Sequence, residues 1–136
     1  VAEIIIGCGV DIIEIDRIAK ALQKQKFIER VYTDQEQQLL RLRSAQSWAA
    51  RFAAKEAVMK ALGCGWNHGV RFTDIEILRE ESGKPAVNLF GQAQKIAQSQ
   101  KVTGIHISLS HNRSTAVAFA LCVGEGTITD GSCDSC

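Results

Sequence analysis

The run 51–63, R-F-A-A-K-E-A-V-M-K-A-L-G, constrains this chain more than any other. By composition it reads as a helix. At about 100° per residue, Trp48, Phe52, Met59 and Leu62 define its apolar arc. Lys55 falls inside that arc, and Glu56 lies at its edge beside Phe52. Lys60 follows Glu56 by four, so the two are neighbours on the helix surface. Charges are rarely fully buried unless they are paired or bind a metal. Such a helix either tolerates a cost or uses its charges.

The rest of the chain sets the frame. Its 136 residues suit one domain with one core. A net charge of +1 argues against a general nucleic-acid binder, yet leaves room for a local basic patch. No apolar run approaches the roughly 20 residues that span a bilayer. The N-terminal apolar stretch is short, interrupted by Asp11 and preceded by no basic segment, so no signal peptide is expected. The five cysteines do not form a framework: Cys8, Cys64 and Cys122 are isolated, and the C-x-x-C of Cys133 and Cys136 lacks a second pair for zinc. Reduced thiols without a catalytic role, as in a cytoplasmic protein, are the expectation.

The pattern predicts an α+β layout. Residues 3–11 read as a buried strand, and 12–25 as a helix with Ile15, Ile18, Ala19 and Leu22 at helical spacing. Thr33-Asp34-Gln35-Glu36 has the form of a capping box and opens a short helix to about Leu42. Ser44 or Ser47 caps the long helix, which Gly63 ends. A strand over 72–78, a turn at 82–85 and a return strand over 86–89 follow. Residues 91–101 read as a helix, and 105–110 as a strand with one wet face. Residues 111–114 form a turn. Residues 115–123 are apolar on both parities, which marks a central strand. The domain is expected over 1–123, with a disordered tail over 124–136.

Three features carry candidate chemistry. Asp11 stands at an expected strand-to-helix junction, where it is either a helix N-cap or half of a metal site with Glu56 as partner. Two carboxylates and a few waters make a hard-oxygen site of the kind magnesium uses with substrate phosphates. Lys60 would face the same phosphates; otherwise Glu56 and Lys60 form a surface pair. Ser110-His111 is either a structural turn or a ligand contact, because no orienting acid accompanies it. Arg17, Lys20 and Lys24 share one face of the first expected helix. They form either a solvated face or a docking stripe for an acidic helix. Neither a Walker-type loop nor a G-x-S-x-G elbow is present.

The run 9–18, G-V-D-I-I-E-I-D-R-I, resembles the first signature of the 4′-phosphopantetheinyl transferases. The run 51–63 resembles the second, and I-S-L-S-H at 107–111 fits the third. Order, spacing and length resemble the holo-acyl-carrier-protein synthase type, over about residues 3–123. The resemblance implies a small, mostly antiparallel sheet packed with a long helix, and transfer of phosphopantetheine from coenzyme A to a serine of apo-acyl carrier protein for fatty acid biosynthesis. It implies magnesium on Asp11 and Glu56, catalysis by Glu56 and Lys60, and coenzyme contacts from Arg51, Lys55, Lys60, Gly63 and His111. It implies carrier docking on Arg17, Lys20 and Lys24, and a homotrimer with interfacial active sites in the cytoplasm. Two other classes compete: a different magnesium-dependent nucleotide enzyme using the same residues, and a non-catalytic adaptor for acidic helices.

Overall fold

In the computed structural model, which describes residues 2–126, the first strand is longer than its sequence suggests. β1 (Ala2–Glu14) pairs with β5 (Thr115–Gly126) all the way to Glu14 opposite Thr115. Asp11 therefore lies inside the strand, opposite Ala118, and is not a helix N-cap. Ile12 and Ile13 are β-branched, and pairing with β5 holds them extended. α1 (Ile15–Ala21) starts three residues later than expected and ends at Leu22. A second helix, α2 (Gln25–Val31), follows it. Phe27, Ile28 and Val31 tie α2 to a small cluster with Tyr32 and Leu40.

The capping box forms as the sequence predicts. Thr33 caps α3 (Asp34–Leu40) through the Glu36 amide, and the Glu36 carboxylate accepts from the Thr33 amide. α4 (Ala45–Leu62) starts after Ser44 and ends at Gly63, whose φ of 67° is the left-handed geometry that glycine accepts without a Cβ penalty. The expected amphipathic character of α4 is not found. It is buried on nearly every side, packed on β1 and β5 with α1, β2 and β4 around it.

A 3₁₀ turn at Phe72–Asp74 precedes β2 (Ile75–Arg79), so Phe72 lies outside the strand expected to contain it. β2 pairs antiparallel with β3 (Pro85–Leu89) as a separate two-stranded sheet. α5 (Gly91–Ser99) leads to β4 (Val102–His111), which includes His111 rather than leaving it in the turn. The main sheet is antiparallel in the order β1-β5-β4, with β5 central as its double-faced apolar pattern requires. β5 also runs to Gly126, opposite Ala2, past the expected boundary at Val123. The rest of the expected tail, with Cys133 and Cys136, lies outside the described residues.

Close approach between β1 and α4 positions the site. A Cβ on Gly7 would stand 2.1 Å from the Ala61 carbonyl oxygen, and one on Gly9 2.2 Å from that of Ala57. Only glycine fits there, because helix backbone presses on strand backbone. The opposite face of the sheet is apolar and open, with Val10, Ile12 and Phe119 exposed.

Candidate active site

β1 and α4 bring Asp11, Glu56 and Lys60 together. Lys60 Nζ donates to Asp11 Oδ1 at 3.1 Å and to the Val10 carbonyl at 3.0 Å. The Asp11 side chain is 12% exposed and that of Lys60 55% exposed, so the ammonium reaches in from solvent. Glu56 is half-buried, and its pKa is raised, first by burial and then by the charge of Asp11; Lys60 and Arg17 act in the opposite direction. Two carboxylates thus share one corner with two cations beside them. Oxygen donors of this type suit a magnesium ion, which needs only one or two protein carboxylates when phosphates and waters complete its shell. The Lys60 ammonium on Asp11 shows that a cation is favoured there.

Lys55 is a correction. Its side chain is fully buried, and its ammonium donates to Glu36 Oε1 at 2.7 Å, to the Phe72 carbonyl at 3.0 Å and to the Ile75 carbonyl. An ammonium has three donors, and all are used inside the protein. No donor is left for a coenzyme phosphate. Burial pushes the Lys55 pKa down, while Glu36 pulls it back. The charge read as awkward on the helix is the partner of the capping-box glutamate.

Other expected coenzyme contacts fall in two separate places. Gly63 and Lys60 line a cleft of about 410 Å³ with Trp66, Asn67 and His68. Arg51 lines another, of about 290 Å³, with Arg79, Pro85 and Ile107 to Leu109. Arg51 is buried, its Nε has no hydrogen-bond partner, and burial followed by the Arg79 charge lowers its pKa. Two guanidiniums held together this way favour an anion. His111 is exposed, with Nδ1 3.4 Å from the Asn112 carbonyl oxygen. The register puts it on the same sheet face as Asp11 with β5 between them, so one chain does not unite the two.

The basic stripe changes shape. Lys24 is the N-cap of α2, so Arg17, Lys20 and Lys24 do not share one helix face. The structure nevertheless gathers them around one groove of about 560 Å³ with Lys26 and Arg30 from α2. Sequence reasoning missed Lys26 and Arg30, although their four-residue spacing was visible. It also missed Arg79, Trp66 and His68, for which no local pattern existed. Cys8, Cys64 and Cys122 are free. Burial pushes the Cys122 thiol up to about 11 and raises that of Cys64, which suits unreactive thiols.

A three-stranded antiparallel sheet against a buried helix, with an acidic pair and a lysine at their contact, makes an α+β domain whose corner is suited to phosphate esters. The family described as the 4′-phosphopantetheinyl transferase superfamily matches residues 7–121, and this chain belongs to it. Within it, the chain is similar to the holo-[acyl-carrier-protein] synthase of Maridesulfovibrio salexigens, at 47% identity over 120 residues, covering 86% of this chain and 97% of that protein. The structure of Plasmodium yoelii acyl carrier protein synthase with ADP bound superposes with a TM-score of 0.83 at 34% identity, covering 93% of this chain and all of that one. Helicobacter pylori holo-[acyl-carrier-protein] synthase in complex with coenzyme A gives 0.75 at 31% identity, covering 85% and 98%.

Proposed function

We propose that this chain is a magnesium-dependent holo-acyl-carrier-protein synthase. It transfers 4′-phosphopantetheine from coenzyme A to a serine of apo-acyl carrier protein, in support of fatty acid biosynthesis in the cytoplasm. The observation that carries the reading is the junction of Asp11, Glu56 and Lys60 where β1 meets α4. The serine oxygen forms a bond to the phosphorus that bears pantetheine. The bond from that phosphorus to the bridging oxygen breaks, and adenosine 3′,5′-bisphosphate leaves with the electron pair.

The side chains supply positioning and charge rather than a nucleophile. Asp11 and Glu56 would hold magnesium, which supplies charge neutralisation at the pyrophosphate. Lys60 leaves its pair with Asp11 and neutralises or protonates the departing phosphate. Glu56 is the candidate acceptor for the serine proton, a role its raised pKa favours. Buried Arg51 and exposed Arg79 offer two neighbouring guanidiniums to another phosphate of coenzyme A. The cleft of Gly63 and Lys60 takes the pyrophosphate side. The basic groove of Arg17, Lys20, Lys24, Lys26 and Arg30 receives the acidic helix of the carrier.

A homotrimer with interfacial sites completes the reading. Arg51 and His111 stand apart from the Asp11 corner within one chain, and the outer sheet face is apolar and open. A neighbouring copy would cover that face and supply both residues. Incubation with coenzyme A, magnesium and apo-carrier protein should add one phosphopantetheine mass to the carrier. EDTA should stop the gain, and excess magnesium should restore it. Coenzyme A hydrolysis with no gain on the carrier would sink the reading.

A further inference from the structure

The rotation of α4 about its own axis decides whether Glu56 and Lys60 face Asp11. Six of its buried positions present only methyl groups, beside larger side chains such as Val58, Met59 and Leu62. Ala49, Ala50, Ala53, Ala54, Ala57 and Ala61 are all buried positions of α4. Packed helices take their register from ridges of larger side chains, and alanine methyls make shallow ones.

Among these methyls α4 carries a fully buried and directional contact through Lys55. Lys55 Nζ meets Glu36 Oε1 at 2.7 Å with both side chains at zero exposure. Glu36 is itself held twice more, by the N-cap of its own helix and by β2. Its Oε1 accepts from the Thr33 amide at 2.8 Å, at the start of α3, and its Oε2 accepts from the Ile77 amide at 2.8 Å, inside β2. Lys55 also donates to the carbonyls of Phe72 and Ile75. A turn of α4 about its axis would break several of these bonds together. Lys55 directly precedes Glu56, and Lys60 lies one turn beyond, so rotation fixed at Lys55 is fixed at both. Buried ion pairs are poor stabilisers in themselves, because desolvation offsets their attraction. Orientation explains this pair better than stability does.

We infer that the Glu36–Lys55 ion pair is a positioning device: it sets the rotation of α4 and so aims Glu56 and Lys60 at Asp11. Through Ile77 it also ties β2, which ends at Arg79, to the helix that carries Arg51. For its activity readout the inference rests on the transferase reading; for its structural readout it does not.

Glu36→Asp keeps the charge and shortens the arm by one methylene. Glu36→Gln with Lys55→Met removes both charges and keeps a residue type that a capping box accepts. Each variant is assayed at a temperature where circular dichroism shows it folded. Both should lose about 10- to 100-fold in kcat, the scale of an ångström-level misplacement, while KM for the carrier stays unchanged. Crystal structures of the variants should show Lys60 parted from Asp11 and from the Val10 carbonyl. A folded variant with wild-type kcat, or one that retains both Lys60 contacts, would overturn the inference. Failure of both variants to fold would overturn it too, since the pair would then serve the fold. Wild-type protein that transfers nothing would sink the functional reading and leave the Lys60 geometry to judge the clamp.

Discussion

Asp11 and Glu56 are a poor pair without a cation between them. Glu56 has its pKa raised by burial and by Asp11. In the folded state it therefore binds its proton more tightly than in the unfolded chain. That contribution to stability is present below the unfolded pKa and is lost as pH rises through the higher folded one. Glu56→Gln removes the repulsion, so the variant should melt above the wild type near neutrality, and the difference should vanish in acid where Glu56 is protonated. Magnesium should raise the melting temperature of the wild type and leave the variant unmoved. A variant that melts lower at every pH would remove the basis for reading this corner as a cation site. At this scale the sequence was half legible. Asp11, Glu56 and Lys60 were recognisable from type and spacing, and the structure joins them. Lys55 was not, because its partner Glu36 stands nineteen positions earlier and already had a local role in the capping box.

Among the elements, those fixed by local chemistry were legible and those fixed by pairing were not. The capping box opened α3, Gly63 closed α4, and the double-faced apolar pattern of β5 put it at the sheet centre. The β1–α1 boundary was misplaced because Ile12, Ile13 and Ile15 fit either period over so short a span. Pairing with 115–117 decides it, and that is a distant contact. The closeness of β1 to α4 gives a direct test. Gly9→Ala puts a methyl on helix backbone and should cost about 1–3 kcal/mol or more in urea denaturation. Transfer should fall with it, because the strand carrying Asp11 must shift. Wild-type stability would contradict the packing. The groove between α1 and α2 predicts a charge effect. Lys26→Glu and Arg30→Glu should raise KM for the carrier several-fold and leave that for coenzyme A near wild type. Added salt should do the same to the wild type. Equal effects on both substrates would argue against the groove as the carrier's seat.

For the whole molecule, the sheet with one covered and one open apolar face is the informative feature. Ile12 is 69% exposed on that outer face, with Val10 and Phe119 on neighbouring positions. Open apolar faces of this kind mark interaction surfaces. Wild-type protein should elute as a trimer by light scattering, and Ile12→Asp should yield folded monomers with little transfer activity. A monomeric, fully active wild type would end the interfacial account. The family itself was legible from three motifs. Assembly was not, because periodicity reports which face is apolar and not what covers it.

The central claim is that Asp11, Glu56 and Lys60 form one transfer site at the contact of β1 with α4. The most direct measurement is turnover of apo-carrier protein followed by mass, with wild type, Asp11→Ala and Glu56→Ala compared under saturating coenzyme A and magnesium. The account predicts one phosphopantetheine added by the wild type and none above background by either folded variant. Near-normal turnover by both folded variants would contradict it.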